Sequence, residues 1–228
     1  MGLDMYLERM PRYGNTTPTE VNTLCSYFTW KKEKEIPGHK AKQYTFEKWT
    51  GIPYKDVPTG KVRKFYKQHH RMEPWKWDKE QQFGLHGKLS EEIGYWRKAN
   101  HIHNWFVENV QEGVDDCEYH DEVTKETLEE LRDICKKVLD SCEMVDAKIN
   151  VGTSFKNGGA TPILEDGQIV KDSSIAEELL PCCSGFFFGG TEYDNYYVDS
   201  LHYTIEIIDK ALATTDFEKQ MIYYVSSW

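Results

Sequence analysis

Apolar residues fall into two spacings along this chain. From Gly2 to Arg9 they alternate, with Leu3, Met5 and Leu7 set against Asp4, Tyr6 and Glu8, the two-residue period of a half-buried strand. The tail Gln220–Trp228, QMIYYVSSW, alternates again and predicts a last strand. Three other stretches carry the helical period. Ser90 to Gln111 predicts a first long helix, with Ser90 as N-cap, Glu91 and Glu92 in its first turn and Gly113 as its stop. Within it, Ile93–Val110 places Tyr95, Trp96, Ala99, Ile102, Phe106, Val107 and Val110 on one arc. Thr124–Ser141, capped by Thr124, and Tyr197–Ala213, with Leu201, Ile205, Ile208 and Leu212 on one stripe, predict two more.

The segments between are less regular. Thr19–Trp30 predicts a short helix capped by Thr17 or Thr19. Lys31–Lys88 holds Pro37, Gly38, Gly51, Pro53, Pro58, Gly60, Pro74, Gly84 and Gly87, with short strands expected at Gln43–Trp49 and Lys61–Tyr66. Asp146–Ser173, with turn signals at Asn157-Gly158-Gly159 and Asp166-Gly167, predicts an exposed hairpin or loop. Ser174–Leu180 predicts a helical turn, and Cys183–Asp194 a short buried strand leaving the core. Together these predict an α+β fold: three main helices packed on a small, mostly antiparallel sheet, with a loop-rich insertion. The expected divisions are 1–30, the first strand and helix of the main domain; 31–88, a basic, aromatic insertion; and 89–228, the main α+β domain.

Charge changes this picture. The net charge of −10 is uneven: residues 1–88 hold 17 Lys and Arg against 10 Asp and Glu, whereas residues 89–228 hold 11 against 28. The acidic part argues against wrapping nucleic acid over a wide surface. The basic run Lys61–Lys79, with Phe65, Tyr66, Trp75 and Trp77 interleaved, has the composition of a phosphate or base contact, or of a solvated loop. No run approaches the roughly 18 apolar residues of a membrane span, and MGLDMYLERM lacks the basic start and apolar core of a signal peptide. The six cysteines form no CxxC pair. A cytoplasmic chain with reduced thiols, no cofactor, no metal and no membrane partner is the expectation.

Candidate chemistry concentrates on the polar border of the first long helix. Arg97, Asn100, His101 and Asn104 stack three and four apart beside Trp96 and Trp105. Arg97 would hold an anion, Asn100 and Asn104 would read an amide or base edge, and Tyr95, Trp96 or Trp105 would stack a ring. The competing reading has Asn100 and His103 bracing the main chain of the GFFFGG turn. Thr191, Glu192 and Asp194 follow two glycines and would complete the cleft, while Asp194 could equally cap the next helix. Cys182 and Cys183 read as inward-packing thiols. No catalytic residue is assigned, and a binding protein is favoured over an enzyme.

Three segments resemble a family of uncharacterised small phage and prophage proteins: MGLDMYL, GYWRKANHIHNWFVENV, and GFFFGGTEYDNYY. The resemblance implies a phage setting and the cytoplasm of an infected host, and brings no activity or catalytic residue with it. The expectation is an accessory protein that binds a small, polar, nucleotide-like ligand, as in sequestration of a host signalling nucleotide against defence. Two alternatives stand beside it. One is an acidic inhibitor of a host protein; the other is a hydrolase on a phosphorylated substrate that uses His103, or Glu192 with Asp194. An oligomer is compatible with each reading.

Overall fold

A computed structural model describes residues 2–76, 83–118, 120–156, 159–185 and 187–228. The fold is α+β, and the chain divides into two compact units. The first comprises Met1–Glu8, Glu92–Thr215 and Ile222–Trp228; the second comprises Arg9–Glu91 and Asp216–Met221. Among the described residues no helix is long and apolar enough to cross a membrane. Asn157-Gly158 and the Trp77–Lys79 end of the basic run lie outside the described residues.

Strands β1 (Asp4–Pro11), β4 (Glu91–Arg97) and β7 (Gln220–Ser227) form a three-stranded sheet in the order β4-β1-β7. Both pairings are antiparallel. Lys98 N–H at the end of β4 donates to Leu3 O before β1, and Arg12 N–H after β1 donates to Lys219 O before β7. Along β1 and the residue before it the alternation holds as far as Leu7: Leu3, Met5 and Leu7 are fully buried and Asp4 and Tyr6 half-buried, while Glu8, expected on the polar side, is buried.

In the first unit, helices α4 (Asn100–Val110), α5 (Lys125–Ser141) and α7 (Asn195–Thr214) supply the core. Ile102 and Phe106 of α4, Leu128 and Leu131 of α5, and Leu201 and Ile208 of α7 have no exposed surface. Phe106 stacks on Tyr224 at 4.1 Å and 8°. The hairpin of β5 (Met144–Lys156) and β6 (Gly159–Val170) is exposed along much of its length. It is tied down by Val170 N–H to Tyr193 O. A six-residue helix, α6 (Ser174–Leu179), follows it.

Two expectations are overturned here. Ile93–Val110 is not one helix: residues through Arg97 form β4, and α4 begins only at Asn100. Ser90 therefore caps nothing. The adjacent pair Tyr95 and Trp96 fits a strand as well as a helical arc, and a short apolar run cannot be assigned by period alone. Gly94 gives the physical reason, because a Cβ there would sit 2.5 Å from Ile207 Cγ2. The glycine permits close approach of α7 to the sheet, where a helix interior would only lose stability. Among the described residues of Cys183–Asp194 no strand forms either; they are irregular loop over most of that length.

The second unit is more helical than a loop-rich insertion. Helix α1 (Pro18–Glu33) opens with a capping box between Thr17 and Glu20. Helices α2 (Phe46–Thr50) and α3 (Gly60–His69) stand where short strands are expected. Strands β2 (Arg71–Lys76) and β3 (Phe83–Lys88) pair antiparallel. Helix α1 contacts α2, α3 and β3. The boundary thus falls after Glu8, not at residue 30, because the aromatic face of α1 (Tyr27 against Phe46 and Tyr54, Trp30 against Phe46) needs the partners that follow it.

Candidate ligand-binding cleft

The turn from β4 into α4 is unusual. Lys98 adopts a left-handed backbone, with φ of 59°, a conformation that costs an ordinary residue about 1 kcal/mol. Its N–H is held by Leu3 O at 2.8 Å. Gly189, with φ of 104°, approaches so closely that a Cβ would lie 3.1 Å from Lys98 Cβ and 3.2 Å from Lys98 O. The chain then enters α4 at Ala99, which provides no side-chain cap, and no acidic residue stands in the first turn. Helices α1, α5 and α7 in contrast are capped by Thr17, Thr124 and Asp194.

Asn100 is fully engaged. Its Nδ2 donates to Phe188 O (3.3 Å) and Gly190 O (2.8 Å), and its Oδ1 accepts from Cys183 N–H (3.1 Å). At 1% exposed it braces the 183–190 loop and reads no ligand edge. The bracing leaves an opening beside it. A cleft of about 380 Å³ is bounded by Arg97, Lys98 and His101 on one side and by Gly190, Glu192 and Asp194 on another. Asn150 and Val151 of β5, with Tyr196, Tyr197 and Ser200 of α7, complete the wall. That volume is within the range of small-molecule sites.

Five of the ten residues singled out from sequence line this cleft: Arg97, Asn100, His101, Glu192 and Asp194. The other five do not. Trp96 is 1% exposed and donates from Nε1 to Thr204 Oγ1 at 3.0 Å inside the core. Trp105 is buried edge-on against Phe106. Tyr95 donates its hydroxyl to Asp4 on the neighbouring strand. Asn104 lies half-buried on α4, and Thr191 donates its N–H to Glu192 Oε2. A ring that could stack in the cleft is instead Tyr196, 58% exposed. Lys98 and Tyr196 escape the helical-arc reading because one directly follows a strand and the other lies in the first turn of a different helix; their sequence signal is nearness to Arg97 and Asp194.

Electrostatics divides the lining. Arg97 and Lys98 are exposed and make no ion pair or side-chain hydrogen bond among the described residues. Asp194 is committed to capping α7, accepting from Tyr196 N–H (2.9 Å) and Tyr197 N–H (3.1 Å), and burial raises its pKa. Burial also pushes the Cys182 thiol up to about 12, which removes it as a nucleophile near neutral pH.

His101 is buried, and desolvation holds its imidazole down to about 3. Ser200 Oγ donates to Tyr197 O (2.7 Å) and so accepts from His101 Nε2–H (2.8 Å), fixing the neutral tautomer. His103 lies elsewhere, 1% exposed, with Nδ1 facing the Tyr224 hydroxyl (2.7 Å) and Nε2 facing Asp115 (3.1 Å). Burial lowers its pKa against the opposing pull of Asp115. The structure therefore does not bring His103 together with Glu192 and Asp194.

A pH dependence of stability follows. An unfolded chain protonates His101 near 6.5, whereas the folded chain resists to about 3. The folded pKa is depressed, so unfolding takes up a proton between those values and stability falls as pH drops through that window. His101 should contribute about 1 to 2 kcal/mol of loss between about pH 6 and about pH 4.5. Urea unfolding at the two values measures it. His101→Gln should flatten the dependence, and an equally steep variant would assign it to other groups.

The three segments MGLDMYL, GYWRKANHIHNWFVENV and GFFFGGTEYDNYY meet around this cleft. Leu3 binds Lys98 and Phe187 through main chain, and Asn100 binds Phe188 and Gly190. Among the described residues no group of three His, Cys, Asp or Glu side chains could hold a metal ion. The chain matches no family model, no curated protein and no solved structure.

Proposed function

We propose that the first unit binds a small phosphorylated, nucleotide-like ligand in the cleft at the β4–α4 junction. The observation that carries this reading is the uncapped N-terminus of α4 flanked by Arg97 and Lys98 at the cleft wall. A helix N-terminus favours negative charge through its dipole and unpaired N–H groups, and two unpaired cations beside it add to that preference. The remaining lining suits a sugar and a base. Glu192 supplies acceptors for hydroxyl or amino groups, and Tyr196 offers an exposed ring face. His101, the imidazole that the cleft lining contains among the described residues, is held neutral by burial, and binding without turnover is the reading favoured here. In the phage setting that the resemblance implies, such capture would withdraw a host signalling nucleotide from its receptor.

The test is isothermal titration calorimetry with a panel of nucleoside mono-, di- and cyclic phosphates. At least one should bind, and Arg97→Ala/Lys98→Ala should weaken it about 30-fold or more, since a hydrogen bond to a charged group contributes about 1.5–3 kcal/mol. Heat with none of the panel at millimolar concentration, or equal binding by the double variant, would overturn the proposal. Phosphate release from a bound nucleotide would move the reading to a hydrolase.

A further inference from the structure

The second unit holds a cavity that the cleft does not explain. Counted over its own residues, this unit carries 18 Lys and Arg against 11 Asp and Glu. Between α1 and α3 lies a groove of about 510 Å³. On α3 it is lined by Gly60, Arg63, Lys64 and Lys67, spaced i, i+3, i+4 and i+7, which is one face of a helix. That row spans about 10 Å at 1.5 Å per residue, too long for a single phosphate. On α1 the facing residues include Lys31, whose Nζ lies 5.7 Å over the Tyr27 ring, and the pair Lys32 and Glu35 at 3.0 Å, the one carboxylate among the described residues of the lining.

Three independent features of this groove favour an extended anion. First, Lys31, Arg63, Lys64 and Lys67 form no ion pair among the described residues, and three of them (Lys31, Lys64, Lys67) are exposed. Second, α3 begins at Gly60 without a side-chain cap and without an acid in its first turn, so its positive end opens on the same groove. Third, the aromatic floor is already covered. Arg63 lies 3.9 Å above the Tyr27 ring, and His70 stacks on Phe28 at 4.4 Å and 19°. Tyr27 and Phe28 are 5% and 6% exposed, so no ring face is left for a base. The groove is built to read charge in a row, not bases.

We propose that this groove binds the phosphodiester backbone of a single nucleic acid strand without regard to sequence. Such strands are usually held by a positively charged groove that tracks the backbone together with rings that stack the bases; this groove offers the first without the second, so charge alone carries the affinity. Neutralising about four phosphates predicts a salt slope near −3 on logarithmic axes, or about a 50-fold loss of affinity between about 50 and 200 mM salt.

The experiment is fluorescence anisotropy of the full chain with a labelled oligo-thymidine strand at low salt. Binding with that salt slope is expected, with similar affinity for a mixed-sequence strand. Lys64→Gln/Lys67→Gln should lower affinity about tenfold and flatten the slope by about 1.4. Lys48→Gln/Lys55→Gln removes the same charge outside the groove and should leave binding intact. Inorganic polyphosphate should displace the strand. Absence of binding at 50 mM salt, an equal loss in the Lys48/Lys55 control, or equally effective displacement by polyglutamate would each overturn the proposal. The Arg97→Ala/Lys98→Ala variant separates the two sites, because it should lose the small ligand and keep the strand.

Discussion

Asn100→Ala is expected to cost about 3 kcal/mol of folding free energy, a large change for one amide. The side chain fills no great volume; its effect comes from what it leaves behind. Cys183 N–H and Phe188 O lose their partner at half-buried and buried residues, and each orphaned group costs about 1–3 kcal/mol. Gly190 is exposed and its carbonyl can turn to water, so that third bond counts for little. Denaturant unfolding should show a lower midpoint with an unchanged slope. The same variant should lose affinity for the cleft ligand, because the 183–190 loop that it releases carries one wall. A stability loss below about 1 kcal/mol would show that Asn100 is not the brace described here.

Trp96→Ala should cost about 4 kcal/mol. Trp96 is among the largest fully buried side chains; it lies against Phe106 at 6.1 Å and bonds Thr204 across to α7. Truncation leaves a cavity between sheet and helix and strips the Thr204 hydroxyl of that donor. Trp96→Phe keeps most of the volume and should lose only about 1–2 kcal/mol, chiefly the hydrogen bond. Neither substitution should alter ligand affinity in protein that remains folded, since Trp96 does not line the cleft. Tyr196→Ala should behave the opposite way, with stability near that of the parent and weaker binding. A Trp96→Phe variant that is stable yet fails to bind would return Trp96 to the stacking role expected from the helical arc.

These contrasts indicate what the sequence makes legible. Strands with one wet face and helices with clear stripes are readable, as β1, α5 and α7 demonstrate, because period and burial largely coincide in them; β7 differs, since Met221–Tyr224 are buried in succession. The β4–α4 segment is not, because Gly94 and the left-handed Lys98 are set by contacts with Ile207, Leu3 and Gly189 that lie far away in sequence. The helices of residues 31–88 are hidden for a related reason. Proline and glycine punctuate them, and Gly51 and Gly60, both with positive φ, mark the end and the start of helices, not loops. Of the candidate site, Arg97 and Asn100 are correctly placed at one location, but Asn100 serves the scaffold. The rings are displaced: Trp96 and Trp105 share a sequence neighbourhood with the cleft yet point into the core, and the accessible ring arrives from α7.

We propose above all that a phosphorylated small molecule settles at the β4–α4 junction. Amide chemical-shift mapping of the isotopically labelled chain, titrated with the tightest nucleotide of the panel, tests it most directly. The expected result is a contiguous set of perturbed amides at Arg97–His101, Gly189–Glu192 and Tyr196. Perturbations confined to α1 and α3, or scattered over the acidic surface with none at the N-terminus of α4, would contradict it.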